Sequence, residues 1–199
     1  MPIDRKQIID HLCRLEVEGN ENGMISAFGV FLTQLPADFW NNFAERLTRS
    51  VRMDLRRAAE ELLINAAHEC GYHTGQGILS SEEWRSVVQP FVFKPPEDTL
   101  HGLLAVITSW GWAKAEIVEL IPKTKMVVRS YDYYEADIVE QGRSSKMSAY
   151  MLCGICAAFM DLVYGDKYPN GIHTFQCAQT KGIECGDEYG EFVAVKSGD

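Results

Sequence analysis

No run of the 199-residue chain stays apolar for the ~20 residues that a membrane-spanning helix needs, so no span is expected. The opening "MPIDRKQIIDHL" is charged and lacks the apolar stretch of a secretory leader. Positive charge is scarce as well: 19 Lys and Arg stand against 28 Asp and Glu, for a net charge of −9. That balance argues against a nucleic-acid or anionic-membrane surface, because phosphates are held by clustered Lys and Arg. The one locally basic stretch, "RMDLRRAAEE", is offset by Asp54, Glu60 and Glu61 and reads as a solvated helix face. Common catalytic signatures are missing: there is no G-x-S-x-G, no phosphate loop and no dinucleotide fingerprint. Six cysteines without a leader read as reduced thiols rather than a disulfide framework, and place the chain in the cytoplasm.

What is present is ordinary for a globular protein, 46% hydrophobic and 24% charged residues. Without repeats or low-complexity tracts, the expectation is one domain over 1–199, long enough to bury a core without disulfides. Residues 1–97 are mainly helical. A short helix over 4–17 starts at Asp4 with Gln7 as a capping pair, and Pro36 and Asp38 open a second carrying Phe39, Trp40, Phe43 and Leu47. "MISAFGVFLTQL" between them is strand or irregular. The clearest helix is 52–70, with Leu55, Ala59, Leu62, Ala66 and Cys70 on one stripe, Gly71 as its stop and "TGQG" as a flexible link. Ser80 and Glu83 box the start of a further short helix.

After "KPPED" the apolar "TLHGLLAVITSWGW" reads as a buried helix. The period then changes: "AEIVELI" and "MVVRSYDYYEA", joined by "PKTK", form a β-hairpin rich in β-branched and aromatic residues. "SKMSAYMLCGICAAFMDLVYG" is apolar nearly all round and belongs in the centre. Two strands, 171–180 and 190–196, close the chain. Helices first, then strand–strand–helix–strand–strand, is the pattern of an α+β fold with an antiparallel sheet.

Several residues carry possible chemistry. A tight hairpin at Thr180-Lys181-Gly182 would give Gly182 a positive φ and set Cys177 opposite Cys185, Cβ atoms roughly 4.5–5.5 Å apart. That permits shared metal ligation, with Cys153 and Cys156 as further ligands. Yet C-x7-C is not a usual zinc spacing, and a C-x2-C in an apolar helix is more often core filler. In "HECGYH", His68 and His73 are five apart, which puts them on different faces of a helix. His101 is the one histidine in the apolar 98–112 segment, either a satisfied core residue, a polar anchor for a ligand, or a general base. Trp110, Trp112, Tyr131, Tyr133 and Tyr134 could supply aromatic walls around it.

"SYDYYEAD", the helix "YMLCGICAAFMDLVYG" and the closing "QTKGIECGDEYGEFVAV" resemble the 4-vinyl reductase domain family, over roughly residues 100–196, with weaker agreement across 22–77. The resemblance implies helices and a curved antiparallel sheet around an apolar cavity that takes small aromatic or hydrocarbon-like molecules, and it implies a homodimer. It implies that His101 orients the ligand and that Cys177 lines the cavity. Zinc-binding members carry an acidic ligand where this chain has Gln179, and hairpin cysteines where it has Gly182 and Gly190; only Cys156 matches. A degenerate site without zinc is therefore expected. The alternative register uses Cys177 and Cys185 as the pair and puts Thr174 in the acidic position, which also leaves the site incomplete; Cys153, Cys156, Cys177 and Cys185 are the alternative set should zinc bind.

The reading is a small-molecule-binding protein, acting as sensor, carrier or accessory, with His101, Trp110, Trp112, Tyr131, Tyr133 and Cys177 as binding residues. The rival is a cavity enzyme, a reductase or thiol-dependent hydrolase or lyase, using Cys177 as nucleophile and His101 as base. A third reading is a structural subunit that uses the fold for assembly.

Overall fold

The computed structural model describes residues 3–136 and 146–198. Helix α1 (Arg5–Leu12) starts where Asp4 Oδ1 accepts from the Gln7 amide at 3.0 Å. Strands β1 (Ile25–Ala27) and β2 (Val30–Leu32) pair antiparallel. Phe28 and Gly29 turn between them with φ of 54° and 69°, the mirror-image turn that suits the twist of a hairpin. So the segment left open between strand and irregular is strand. Helix α2 (Ala37–Ser50) follows, and then α3 (Arg56–Ser80).

Helix α3 corrects two expectations, because Gly71 does not stop it and "TGQG" is not a link. The glycines lie where the helix meets other backbone. A Cβ on Gly71 would stand 3.1 Å from the Ala158 Cβ, and one on Gly77 would stand 2.6 Å from a Val30 methyl. They serve close approach rather than chain breaking. The helix ends at Ser81, whose hydroxyl accepts from the Trp84 amide at 3.1 Å, so the cap sits one residue beyond the expected Ser80. Glu83 instead reaches back to the Phe28 amide at 3.1 Å. A π-helical turn (Trp84–Val88) leads towards α4 (Glu97–Ser109).

Strands β3 (Ala113–Ile121) and β4 (Lys125–Tyr133) form the expected hairpin, and the apolar segment forms α5 (Tyr150–Tyr164), buried throughout Leu152–Asp161. Strands β5 (Phe175–Lys181) and β6 (Gly190–Lys196) complete an antiparallel sheet of order β3-β4-β6-β5. The fold is α+β. One sheet face presents Met126, Val128, Phe192 and Ala194 to α4 and α5, in a core that also takes Ile8 of α1 and Phe28. Helix α3 packs on α5, and α2 lies on α3.

The β5–β6 connection is a correction. It is not a tight turn: Gly182 is extended at φ −143°, and a short 3-10 turn, Ile183–Cys185, ends at Gly186 with φ 103°. Asp187 closes this wider loop, accepting from the Gly182 amide at 2.9 Å while its own amide donates to the Gly182 carbonyl at 3.1 Å. Cys177 therefore stands opposite Ala194, and Cys185 sits in the loop.

Candidate functional site

Helix α2 has apolar side chains at helical spacing, yet none of its residues is buried. Phe39, Trp40 and Phe43 are 52%, 40% and 51% exposed, so this stripe covers a space instead of filling one. Beneath it lies a cavity of about 630 Å³, within the size range of small-molecule sites. Trp40 and Phe43 of α2, Leu63, Ala66, Ala67 and Cys70 of α3, Tyr134 after β4, and Met151 of α5 make its apolar walls. Glu45, Arg49, Arg56, Glu60 and Lys146 add charge, with Tyr150, Glu135 and Glu184 between the two kinds of wall. Asn41 Nδ2 donates to the Tyr134 carbonyl at 2.8 Å and ties α2 across the space.

The floor is the start of α5, where amide N–H groups have no partner within the helix. Side chains satisfy them. Glu135 accepts from the Met151 and Leu152 amides at 2.8 and 3.0 Å, and burial pushes its carboxyl up to about 8 against the pull of those amides. Gln179 Oε1 accepts from Ala149 at 3.1 Å, and Glu184 accepts from Ser148 at 3.0 Å. Glu184 is itself held by Gln179 Nε2 at 2.9 Å and by a short hydrogen bond from the Tyr133 hydroxyl. Burial, then the Glu184 carboxylate, raises the pKa of Tyr133.

A narrow slot adjoins the cavity, with Cys70 and Met151 common to both. Trp110, Trp112, Ile155 and Phe159 line it, and the buried Trp110 Nε1 finds no acceptor among the described residues.

The residues expected from sequence are spread over the fold. Trp110 and Trp112 stand in the slot beside the cavity. His101 is half-buried on α4, and its pKa is lowered by burial and then by the Arg5 guanidinium. Tyr131 is exposed, its ring centroid 6.1 Å from that of Tyr189. Tyr133 belongs to the knot with Gln179 and Glu184. Cys177 meets Cys153 and Cys156, and burial followed by those two thiols pushes its pKa up. None of His101, Tyr131, Tyr133 and Cys177 lines the 630 Å³ cavity or the slot. "HECGYH" lies inside α3 and fastens α5 and the loop after it: His68 meets Asp161 of α5, His73 Nδ1 is 2.9 Å from the Tyr168 hydroxyl, and the Tyr72 hydroxyl accepts from the Gly171 amide.

The positions that match the family's zinc ligands are taken up by other contacts. Gln179 is engaged in the knot, a Cβ at Gly182 would come within 2.8 Å of the Glu184 carboxyl, and one at Gly190 within 2.6 Å of the Tyr133 ring. Among the described residues, no group of three or more His, Cys, Asp or Glu side chains is arranged to hold an ion.

What the sequence reading missed is the α2 side of the molecule: Trp40, Phe43, Cys70, Glu135 and Tyr150. The signal was the aromatic stripe of "ADFWNNFAERLTRS", which pairs with no other stripe nearby in the chain.

No protein-family model and no curated protein sequence matches the chain. Solved structures do. The phenol-responsive sensory domain of the transcription activator PoxR, crystallised with phenol, superposes with a TM-score of 0.73 at 11% identity, covering 98% of this chain and 92% of that one. A trafficking protein particle complex subunit 3 from Naegleria fowleri, covalently bound to palmitic acid, gives 0.55 at 15% identity, covering 81% and 95%. At these identities the likeness is one of fold. Among the described residues no helix is long and apolar enough to cross a membrane.

Proposed function

We propose that the chain binds a small, mostly apolar or aromatic molecule in the cavity between α2, α3 and the start of α5, and acts as a sensor, carrier or accessory protein in the cytoplasm. The carrying observation is the 630 Å³ space under an amphipathic helix that leaves its aromatic side unburied. Two proteins of the same fold, one holding phenol and the other palmitic acid, support the reading. A second copy would suit the exposed Phe39 and Phe43, which is the homodimer expected from the family resemblance.

The enzyme reading has less to stand on. Cys177 is a half-buried thiol whose pKa is raised by burial and by Cys153 and Cys156, and a nucleophile needs the thiolate. The test is native mass spectrometry of the purified protein with thermal-shift screening across aromatic and aliphatic probes. Binding that weakens on Phe43→Trp, which fills the cavity mouth, is expected. Absence of any retained molecule and of any shift across the panel would end this reading.

A further inference from the structure

We propose that the cavity takes a molecule with an acidic head: an amphipathic carboxylate whose charged end meets Arg56 and Tyr150 at the rim, while its apolar body lies against Trp40, Phe43, Leu63 and Met151. This rests on the cavity-binding reading above and narrows it to a ligand class.

The lining groups divide sharply by what they still offer. Every carboxylate there is already engaged. Glu45 is paired with Arg49 at 2.7 Å, and Glu60 with Lys146 through a short contact. Glu135 caps α5, and Glu184 holds Ser148, Gln179 and Tyr133.

The donors differ. Arg56 uses only its Nε, on the Thr48 carbonyl at 3.2 Å, and its two terminal nitrogens have no acceptor among the described residues. The hydroxyls of Tyr134 and Tyr150 likewise have no hydrogen-bond partner among the described residues. Arg56 and Tyr150 both line the cavity. A planar guanidinium with a free fork matches a carboxylate's two oxygens, and a phenol hydroxyl adds a third donor. Of the three cations at the rim, Arg56 is the one without a carboxylate partner among the described residues. Arg56 is thus the lining cation that an entering organic anion could pair with without breaking a salt bridge.

The test is calorimetric titration at low ionic strength with matched pairs: octanoate against octanol, and phenylbutyrate against phenylbutanol. The acids are expected to bind about tenfold tighter than their alcohols, the scale of one charge-assisted hydrogen bond. Arg56→Gln should erase that difference, read as the acid-to-alcohol ratio within the one variant because Arg56 also lines the cavity and holds the Thr48 carbonyl; Arg56 is exposed, and circular dichroism checks that the variant is folded. Alcohols binding as tightly as acids would overturn the acidic head while leaving the cavity reading intact. A preference for acids that survives Arg56→Gln would overturn the assignment of the head to Arg56. Failure of all four probes to bind would remove both.

Discussion

His68 Nε2 lies 2.6 Å from Asp161 Oδ2, a buried contact that fastens α3 to the end of α5. The same carboxylate accepts from the His173 amide at 2.7 Å and from the Phe175 amide at 2.8 Å, so one side chain sets where the chain leaves α5 and enters β5. His173 has φ 65°, a conformation that needs such support outside glycine. Asp161→Ala would strand the Phe175 amide and the His68 imidazole away from water and remove the acceptor of the His173 amide. A loss of about 3–5 kcal/mol is expected, read from urea unfolding, with His68→Ala costing less because the amides keep their acceptor. Equal stability of Asp161→Ala and the parent chain would show that the contact is incidental.

The α3–α5 crossing depends on glycine for space. A Cβ at Gly154 would meet backbone atoms of α3, His68 N at 2.5 Å and the Ile64 carbonyl at 2.6 Å, along with the Ala67 Cβ. At Gly75 the nearest atom, at 2.4 Å, is the end of the Leu162 side chain, which can rotate away. Gly154→Ala should therefore destabilise by roughly 2–4 kcal/mol and Gly75→Ala by about 1 kcal/mol or less, since overpacking against backbone has nowhere to relax. Denaturation midpoints of the two variants measure the order; a reversed order would mean that the helices shift freely.

These glycines also mark what could be read in the sequence. The β3–β4 hairpin, the apolar α5 and the amphipathic α2 were legible because period and composition agree with burial. The extent of α3 was not, since Gly71, Gly75 and Gly77 look like punctuation when seen locally and become packing sites only once α5 and the β1–β2 hairpin are opposite them. The wide β5–β6 loop was hidden for a similar reason: Asp187 closes it through Gly182, and nothing in "TKGIECGD" alone distinguishes that from a tight turn. Tyr134 lines the cavity under α2, away from His101, beside which the sequence had suggested an aromatic wall. Glu135 beside it draws its role from amides on α5, which no local pattern announces.

Thiol chemistry separates the cysteines. Cys13 and Cys70 are exposed, Cys153 and Cys156 are buried, and Cys177 is half-buried with a raised pKa. Alkylation by iodoacetamide near neutral pH, followed by peptide mass spectrometry, should label Cys13 and Cys70 first and Cys177 more slowly than a free cysteine. Fast labelling of Cys177 would restore it as a candidate nucleophile.

Glu135 makes the stability of α5 depend on pH in a definite direction. In the unfolded chain its carboxyl releases a proton near 4.5, whereas in the fold it holds that proton up to about 8. Between those values the folded form binds more protons, so stability falls as pH rises. The contribution is fully present below the unfolded value and is lost as pH climbs through the folded one. Thermal unfolding followed from about pH 5 to about pH 9 should show a falling melting temperature, each kcal/mol appearing as roughly 2–4 °C for a chain of this size. Glu135→Gln keeps an acceptor for one of the two capped amides and carries no charge, so it should be flatter across that window, though less stable at its acidic end. An unchanged slope in Glu135→Gln would assign the pH dependence to another group.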